Sequence, residues 1–279
     1  MKAYYFCIGF SLLFFVSCKK KENKWDNDQS ASVNSKIELA FDEMTNISDQ
    51  AVNGNLVYYK SGKIVIGNVA KPESIEKTPC SVIITHDTTS SPKVLTVDYG
   101  STNCDCNDGK RRRGKIITTY TGAYIMPGTV ITHTTDNYYV NDIKIDGTKT
   151  VTNMGLNGSN QPYFNVQIDG LVTLTSGTTV DYTSTRTRTW VSGFSTLMYR
   201  LDDEYDITGT ANAVYSSGGG YSANTISPLR IKVGCGFPTQ GIIDLTPVSK
   251  PTRTINYGNG VCDTQFTVTV NGNTYTFNW

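Results

Sequence analysis

Along most of this chain, apolar and polar residues alternate in short runs broken by turn dipeptides, and one segment departs from that rhythm. In residues 36–52, Ile37, Phe41, Met44, Ile47 and Ala51 recur at spacings of three and four. That period gathers them on one stripe of an α-helix. Asn53-Gly54 supplies its C-terminal stop, and the stripe is expected to dock on a sheet. After Gly54 the sequence is rich in Thr, Val, Ile and Tyr and reads as β throughout. Ser61-Gly62 separates Leu56–Lys60 from Lys63–Val69, and Asn141-Asp142 separates Tyr138–Val140 from Ile143–Ile145. Ser176-Gly177 stands between Leu171–Thr175 and Thr178–Tyr182, and Asn271-Gly272 between Phe266–Val270 and Asn273–Asn278. Ser216–Gly220 reads as a further hairpin loop. Connections this short force antiparallel neighbours. The predicted fold is therefore all-β, a long antiparallel meander of hairpins with one N-terminal amphipathic helix.

One strand strains the pattern. In Thr185-Arg186-Thr187-Arg188-Thr189-Trp190, one face carries Thr and the other Arg, Arg and Trp. A strand buried on one face shows a consistently apolar side, so this one is expected to be wet on both faces or to form an edge, where charges blunt edge-to-edge pairing.

The N-terminus carries the strongest single signal. Lys2 precedes an apolar stretch from Ala3 to Val16, which is too short to span a bilayer. Phe15-Val16-Ser17-Cys18 ends it, and Lys19-Lys20-Lys21 follows. This is the arrangement of a bacterial lipoprotein signal, with the mature chain starting at a lipidated Cys18. Residues 1–17 are then the signal peptide. Residues 18–35, rich in Lys, Asn, Asp, Gln and Ser, form a flexible tether. Residues 36–279 form the β-rich domain, in one lobe or two. The membrane is a partner through the lipid on Cys18, and the location is the outer membrane, on its periplasmic side or at the cell surface.

Charge narrows the remaining partners. The chain has 25 Lys and Arg against 24 Asp and Glu, a net charge of +1. Nucleic acid is excluded as a partner, because phosphate binding needs a basic excess. The one basic cluster, Lys110-Arg111-Arg112-Arg113, reads as a solvated turn.

Of seven cysteines, Cys7 leaves with the signal and Cys18 takes the lipid. Export favours disulfides among Cys80, Cys104, Cys106, Cys235 and Cys262, with one thiol left over. An internal echo suggests the pairing. Thr96-Val97-Asp98-Tyr99-Gly100 leads to Cys104-Asp105, and Thr254-Ile255-Asn256-Tyr257-Gly258 leads to Cys262-Asp263. Each copy has an upstream cysteine at a similar distance, Cys80 or Cys235. The echo predicts Cys80–Cys104 (or Cys106) and Cys235–Cys262, with a cross-link between the copies as the alternative. A loop of about 25 residues closed this way gains roughly 3–4 kcal/mol in the chain-entropy model. No metal site is expected, because a second Cys-x-x-Cys or His pair is absent from the sequence.

Asp98-Tyr99-Gly100, Cys104, Gly114–Ile117, Thr119–Gly122, Pro127-Gly128-Thr129, Tyr138, Val140-Asn141-Asp142 and Gly147–Asn153 together resemble a family of Bacteroidota-type envelope lipoproteins. Tyr257–Cys262 and the closing hairpin are similar too. The resemblance covers about two thirds of the chain. It implies an envelope lipoprotein and brings no activity or catalytic residue with it.

Candidate chemistry is sparse. His86 and His133 are the only histidines, and no Gly-x-Ser-x-Gly elbow accompanies them. Asn103–Gly109 places oxygens at alternating positions, but without the glycine and glutamate of a calcium loop. Asp202, Asp203, Glu204 and Asp206 form a second acidic cluster. Glycoside hydrolysis needs two carboxylates across a bond, and no spacing singles out a pair. Tyr138, Tyr139, Arg186, Arg188 and Trp190 are the candidates for a ligand face. The sequence thus predicts a non-catalytic binding or structural β-domain without a cofactor, meeting a protein or glycan partner. The alternative is a carbohydrate-active enzyme or a glycan-binding surface protein, and a carrier of apolar ligands is a third reading.

Overall fold

The computed structural model describes residues 30–52, 58–60, 63–65, 80–196, 200–235 and 237–278. The signal segment, Cys18, Asn53-Gly54 and Ser61-Gly62 lie outside these residues. The first described elements are a helix, α1 (Ser30–Val52), and a small hairpin, β1 (Tyr58–Lys60) and β2 (Lys63–Val65). The main sheet begins with β3 (Ile83–Asp87), β4 (Lys93–Asp98), the short β5 (Cys104–Asp105), β6 (Arg111–Tyr120) and β7 (Val130–Val140). It continues through β8 (Ile143–Leu156), β9 (Pro162–Thr173), β10 (Thr179–Ser192), β11 (Glu204–Tyr215) and β12 (Gly220–Lys232). It closes with β13 (Gln240–Pro247), β14 (Arg253–Asn259), β15 (Gln265–Val270) and β16 (Asn273–Asn278).

These 14 strands form one antiparallel sheet in chain order, β3 and β16 at its edges and β5 paired beside β6. The predicted turns make this meander. Asn141 and Asp142 both take positive φ, as do Asn271 and Gly272. That is the backbone a two-residue hairpin needs to match strand twist. Bulges centred on Gly114 and Gly209 shift the register of β6 against β7 and of β11 against β12. Bulges of this kind bend a sheet and increase its twist. The two copies of the Tyr-Gly-Cys echo lie in this one continuous sheet, near opposite flanks.

The curled sheet holds α1 in its trough. The helix packs on β4, β6 and β7 at one flank and reaches β13 toward the other. Ile37, Phe41, Met44, Ile47 and Ala51 are all buried, with Val33 and Ala40 beside them. Ser32, Lys36, Leu39 and Asn46 are the exposed positions, so a narrow outer strip faces away from the sheet. Phe41 seats over Gly170 of β9, where a Cβ would lie 2.5 Å from its ring. A glycine inside a strand marks such a close approach.

The helix starts at Ser30, six residues before the predicted boundary, so residues 30–35 are helical and not tether. Val33, one turn before Ile37, extends the stripe, and the polar residues Ser30 and Asn34 are buried with it. The Thr-Arg strand also differs from expectation. It is part of β10, which lies between β9 and β11 and is not an edge. Val180, Tyr182, Ser184 and Arg186 are buried on one face, while Asp181, Thr183 and Thr185 face solvent on the other. An inward arginine is compatible with burial here because the helix supplies its counter-charge.

Candidate functional site

On the trough face of the sheet, the helix answers three buried cations, Arg186, Lys149 and Arg112, with a carboxylate each. Arg186 of β10 donates to Glu38, which also accepts from the Tyr182 hydroxyl. Lys149 of β8 donates to Asp42 at 2.7 Å and to the Phe41 carbonyl at 3.2 Å, with 1% of its side chain exposed. Arg112 of β6 donates to Asp108 at 2.6 and 2.9 Å and to Glu43 at 3.0 Å, and Lys110 also pairs with Glu43. Burial alone would lower the Arg112 and Arg186 pKa values. The hydrogen bonds of Asp108 and the charge of Glu38 outweigh it and raise them. A buried charge persists only when paired and hydrogen-bonded in this way.

His133 of β7 lies between these pairs, beneath the last turns of the helix. Its Nδ1 shares a hydrogen bond of 2.8 Å with Thr118 Oγ1 and one of 3.4 Å with Ser48 Oγ. Its Nε2 contacts Thr45 Oγ1 at 3.3 Å. Burial, aided by the nearby Lys149 charge, pushes its pKa down to about 3. The imidazole is therefore neutral, and Ser48 already donates to the Met44 carbonyl at 2.7 Å. Among the described residues no carboxylate contacts the imidazole to orient it, so the third member of a nucleophilic triad is absent from them. His86, on the exposed β3, contacts the Tyr120 hydroxyl.

The cysteines group as the echo predicts, and the choice it left open closes on Cys104. Cys80 bonds Cys104, Cys235 bonds Cys262, and Cys106 is a buried free thiol. Cys106 Sγ stands 2.7 Å from Cys80 Sγ, and all three sulfurs lie within 4.8 Å of one another. Burial raises the Cys106 pKa, and Arg112 opposes that rise. Tyr99 and Tyr257 of the two copies are both buried on the trough side, and the glycine after each takes a positive φ. The echo is thus a repeated corner: a buried tyrosine, a glycine turn and a cysteine that pins an upstream segment to the sheet.

The five residues expected to form a ligand face do not share one. Tyr138 is fully buried against Tyr99, near the end of β7 at the Asn141-Asp142 turn. Tyr139 stacks under Arg113, whose guanidinium is 3.6 Å from the ring centre. Arg186 is spent on Glu38. Arg188 lies among Tyr205, Phe164 and Tyr124, 4.6, 5.3 and 5.6 Å from their ring centres, and donates to the Tyr124 hydroxyl. Trp190 is buried beside them, and its indole N–H donates to Asp203 at 3.1 Å. Alternation turns Tyr138, Arg186, Arg188 and Trp190 toward the trough, into two separate parts of the interior, and leaves the half-buried Tyr139 on the opposite face of β7.

The polar clusters are also internally committed. The basic run alternates: Arg112 points inward, while Arg111 and Arg113 pair with Asp142 at 2.6 and 2.9 Å. In the calcium-like loop, Asp108 serves Arg112, and Asn103 bonds Arg113 and Asp142. Of the second acidic cluster, Glu204 and Asp206 hold Arg230. What remains open is the outer face. Thr132, Thr150, Gln167, Thr185, Thr210 and Asn224 stand in one register row across β7 to β12. A shallow depression of about 400 Å³ lies on this face, lined by Thr148, Thr150, Gln167, Asp169, Thr183 and neighbouring side chains. No protein family, curated protein or solved structure matches this chain.

Proposed function

We propose that this chain is an envelope lipoprotein, held at the outer membrane through lipid on Cys18, whose β-domain serves binding or structure without catalysis. One observation carries the non-catalytic part: the trough, where a sheet this curled would hold a ligand, is filled by the chain's own helix and sealed by the Glu38, Asp42 and Glu43 pairs. The anchor rests on the sequence around Cys18, and no helix among the described residues is long and apolar enough to cross a membrane. Several acyl chains hold a protein stably where one does not. Labelling cells with an alkyne fatty acid tests the anchor. The wild-type chain takes up label and a Cys18→Ser variant does not; an unlabelled wild-type chain refutes it.

Glycan binding on the outer face is the second reading. The depression around Gln167 and Asp169 offers hydroxyl and amide groups suited to sugar hydroxyls, with Asp169 as the one carboxylate among its lining residues. Two carboxylates are needed for glycoside hydrolysis, so this surface favours capture over cleavage. A glycan screen of the soluble Cys18→Ser form, repeated with Gln167→Ala, tests it. Binding that survives the substitution places capture elsewhere.

A further inference from the structure

The two ends of the strands differ in character. At one end the connections are mostly tight polar turns, at Asn141-Asp142, Ser176-Gly177, Ser216–Gly219 and Asn271-Gly272, with the exposed Val248 of the β13–β14 connection standing singly beside them. At the other end lie the connections that follow β6, β8, β10, β12 and β14. Large apolar side chains stand exposed there: Ile125 (49%), Met126 (57%), Met154 (42%), Leu156 (62%) and Phe194.

They form one patch. The β6–β7 connection folds onto the end of β8: Gly128 N–H donates to the Asn153 carbonyl at 2.8 Å, and Asn153 Nδ2 donates to the Tyr124 carbonyl at 2.8 Å. Pro127 lies next to Gly155, between Met126 and the Met154–Leu156 segment. Tyr124 stacks on Phe164 and meets Trp190, and Phe194 meets Trp190 edge-on from the β10–β11 side. Residues 121–129, 153–163 and 192–196 contain no Asp, Glu, Lys or Arg, and the charges of the β10–β11 connection, Arg200, Asp202 and Asp203, begin beyond them. A contiguous apolar patch of this kind marks an interaction site.

We infer that this uncharged rim rests in the interfacial layer of a lipid bilayer. The inference builds on the lipoprotein reading. Between Cys18 and the start of α1 at Ser30 the chain spans at most about 40 Å when extended, so an anchored domain cannot leave the membrane surface. Tethering raises the effective concentration of that surface, and a few apolar side chains then suffice to dock it. The side chains stand on connections and on the last residues of β8 and do not line a groove, which suits insertion between headgroups. Apolar groups with a tyrosine at their base match the interfacial layer. Without a basic residue in the rim, docking depends on apolar burial and not on anionic lipid.

The test uses the mature Cys18→Ser chain, so that no acyl chain contributes, with phosphatidylcholine vesicles in a flotation assay. The chain is expected to float with the vesicles equally at low and high salt. An Ile125→Asn/Met126→Asn double variant, with its fold checked by circular dichroism, is expected to lower the partition coefficient at least tenfold. Val248→Asn, at the opposite end, is expected to leave it unchanged. No flotation of the parent chain, flotation abolished by salt, or a double variant that floats like the parent overturns the inference. So does a dimer in sedimentation that the double variant dissolves, because the patch would then meet a second copy. Fatty-acid labelling at Cys18 is read separately, so failure of the anchor and failure of the rim are distinguishable.

Discussion

Glu38→Gln removes one charge from the seam and leaves its shape. In the native protein Glu38 accepts from Arg186 and Tyr182, and Arg186 keeps Thr225 Oγ1, at 3.2 Å, and the neutral Tyr182 hydroxyl as its other side-chain partners, with no second carboxylate beside them among the described residues. The guanidinium is 5% exposed, so it has no access to water in exchange. Breaking a fully buried pair costs about 3–5 kcal/mol. Glu38 is 23% exposed, and partial screening brings the expected loss to about 2 kcal/mol. Urea denaturation followed by circular dichroism measures it, as a lower midpoint with an unchanged slope. Arg186→Met alone leaves Glu38 partly solvated and costs less. The double variant is expected to be more stable than the sum of the singles by about 1–2 kcal/mol. A Glu38→Gln loss below about 0.5 kcal/mol, the range of an exposed surface site, refutes the seam. Strict additivity of the pair does so too.

His133 makes stability depend on pH. Its folded pKa of about 3 lies below the ordinary value of 6.5, so between these values the unfolded chain holds a proton that the folded chain does not. Stability therefore falls as pH drops through this window, by about 2.5 kcal/mol between pH 6.5 and 4.5. Denaturation midpoints across that range are expected to show the slope, and His133→Gln to flatten it; an unchanged slope in the variant refutes the assignment. The cysteine corner gives a thiol count. In a Cys18→Ser chain lacking residues 1–17, thiol titration under denaturing conditions is expected to find one free thiol. Cys104→Ser is expected to show none, because Cys106 stands 2.7 Å from Cys80 and takes over the bridge. Two free thiols in that variant contradict the arrangement.

Much of the architecture is legible in local sequence because local physics sets it. The Asn-Asp and Asn-Gly turns announce their positive φ, and the Ile37–Ala51 stripe announces a helix with one buried face. The echo around Tyr99 and Tyr257 gives both disulfides, though spacing alone does not separate Cys104 from Cys106, two residues apart. The start of the helix is less legible, since Ser30, Asn34 and Ser35 have the composition of a tether. The seam is not legible at all. Arg186 and Arg112 read as solvated residues and nothing singles out Lys149, because their partners on the helix lie 148, 69 and 107 residues away. The expected ligand face fails for the same reason: Tyr138 and Trp190 belong to strands whose inward side could not be told from the outward one without the helix.

Hydrogen exchange of α1 in the Cys18→Ser chain tests most directly whether the helix is a permanent part of the trough. A helix that fills the core and is locked by Glu38, Asp42 and Glu43 opens only with the whole domain. Its amides around Phe41 and Met44 are then expected to exchange with the free energy of global unfolding measured in urea. Exchange several kcal/mol easier than β9 and β10 would contradict the account. It would make the helix a displaceable cover and the trough beneath it a site for an apolar ligand.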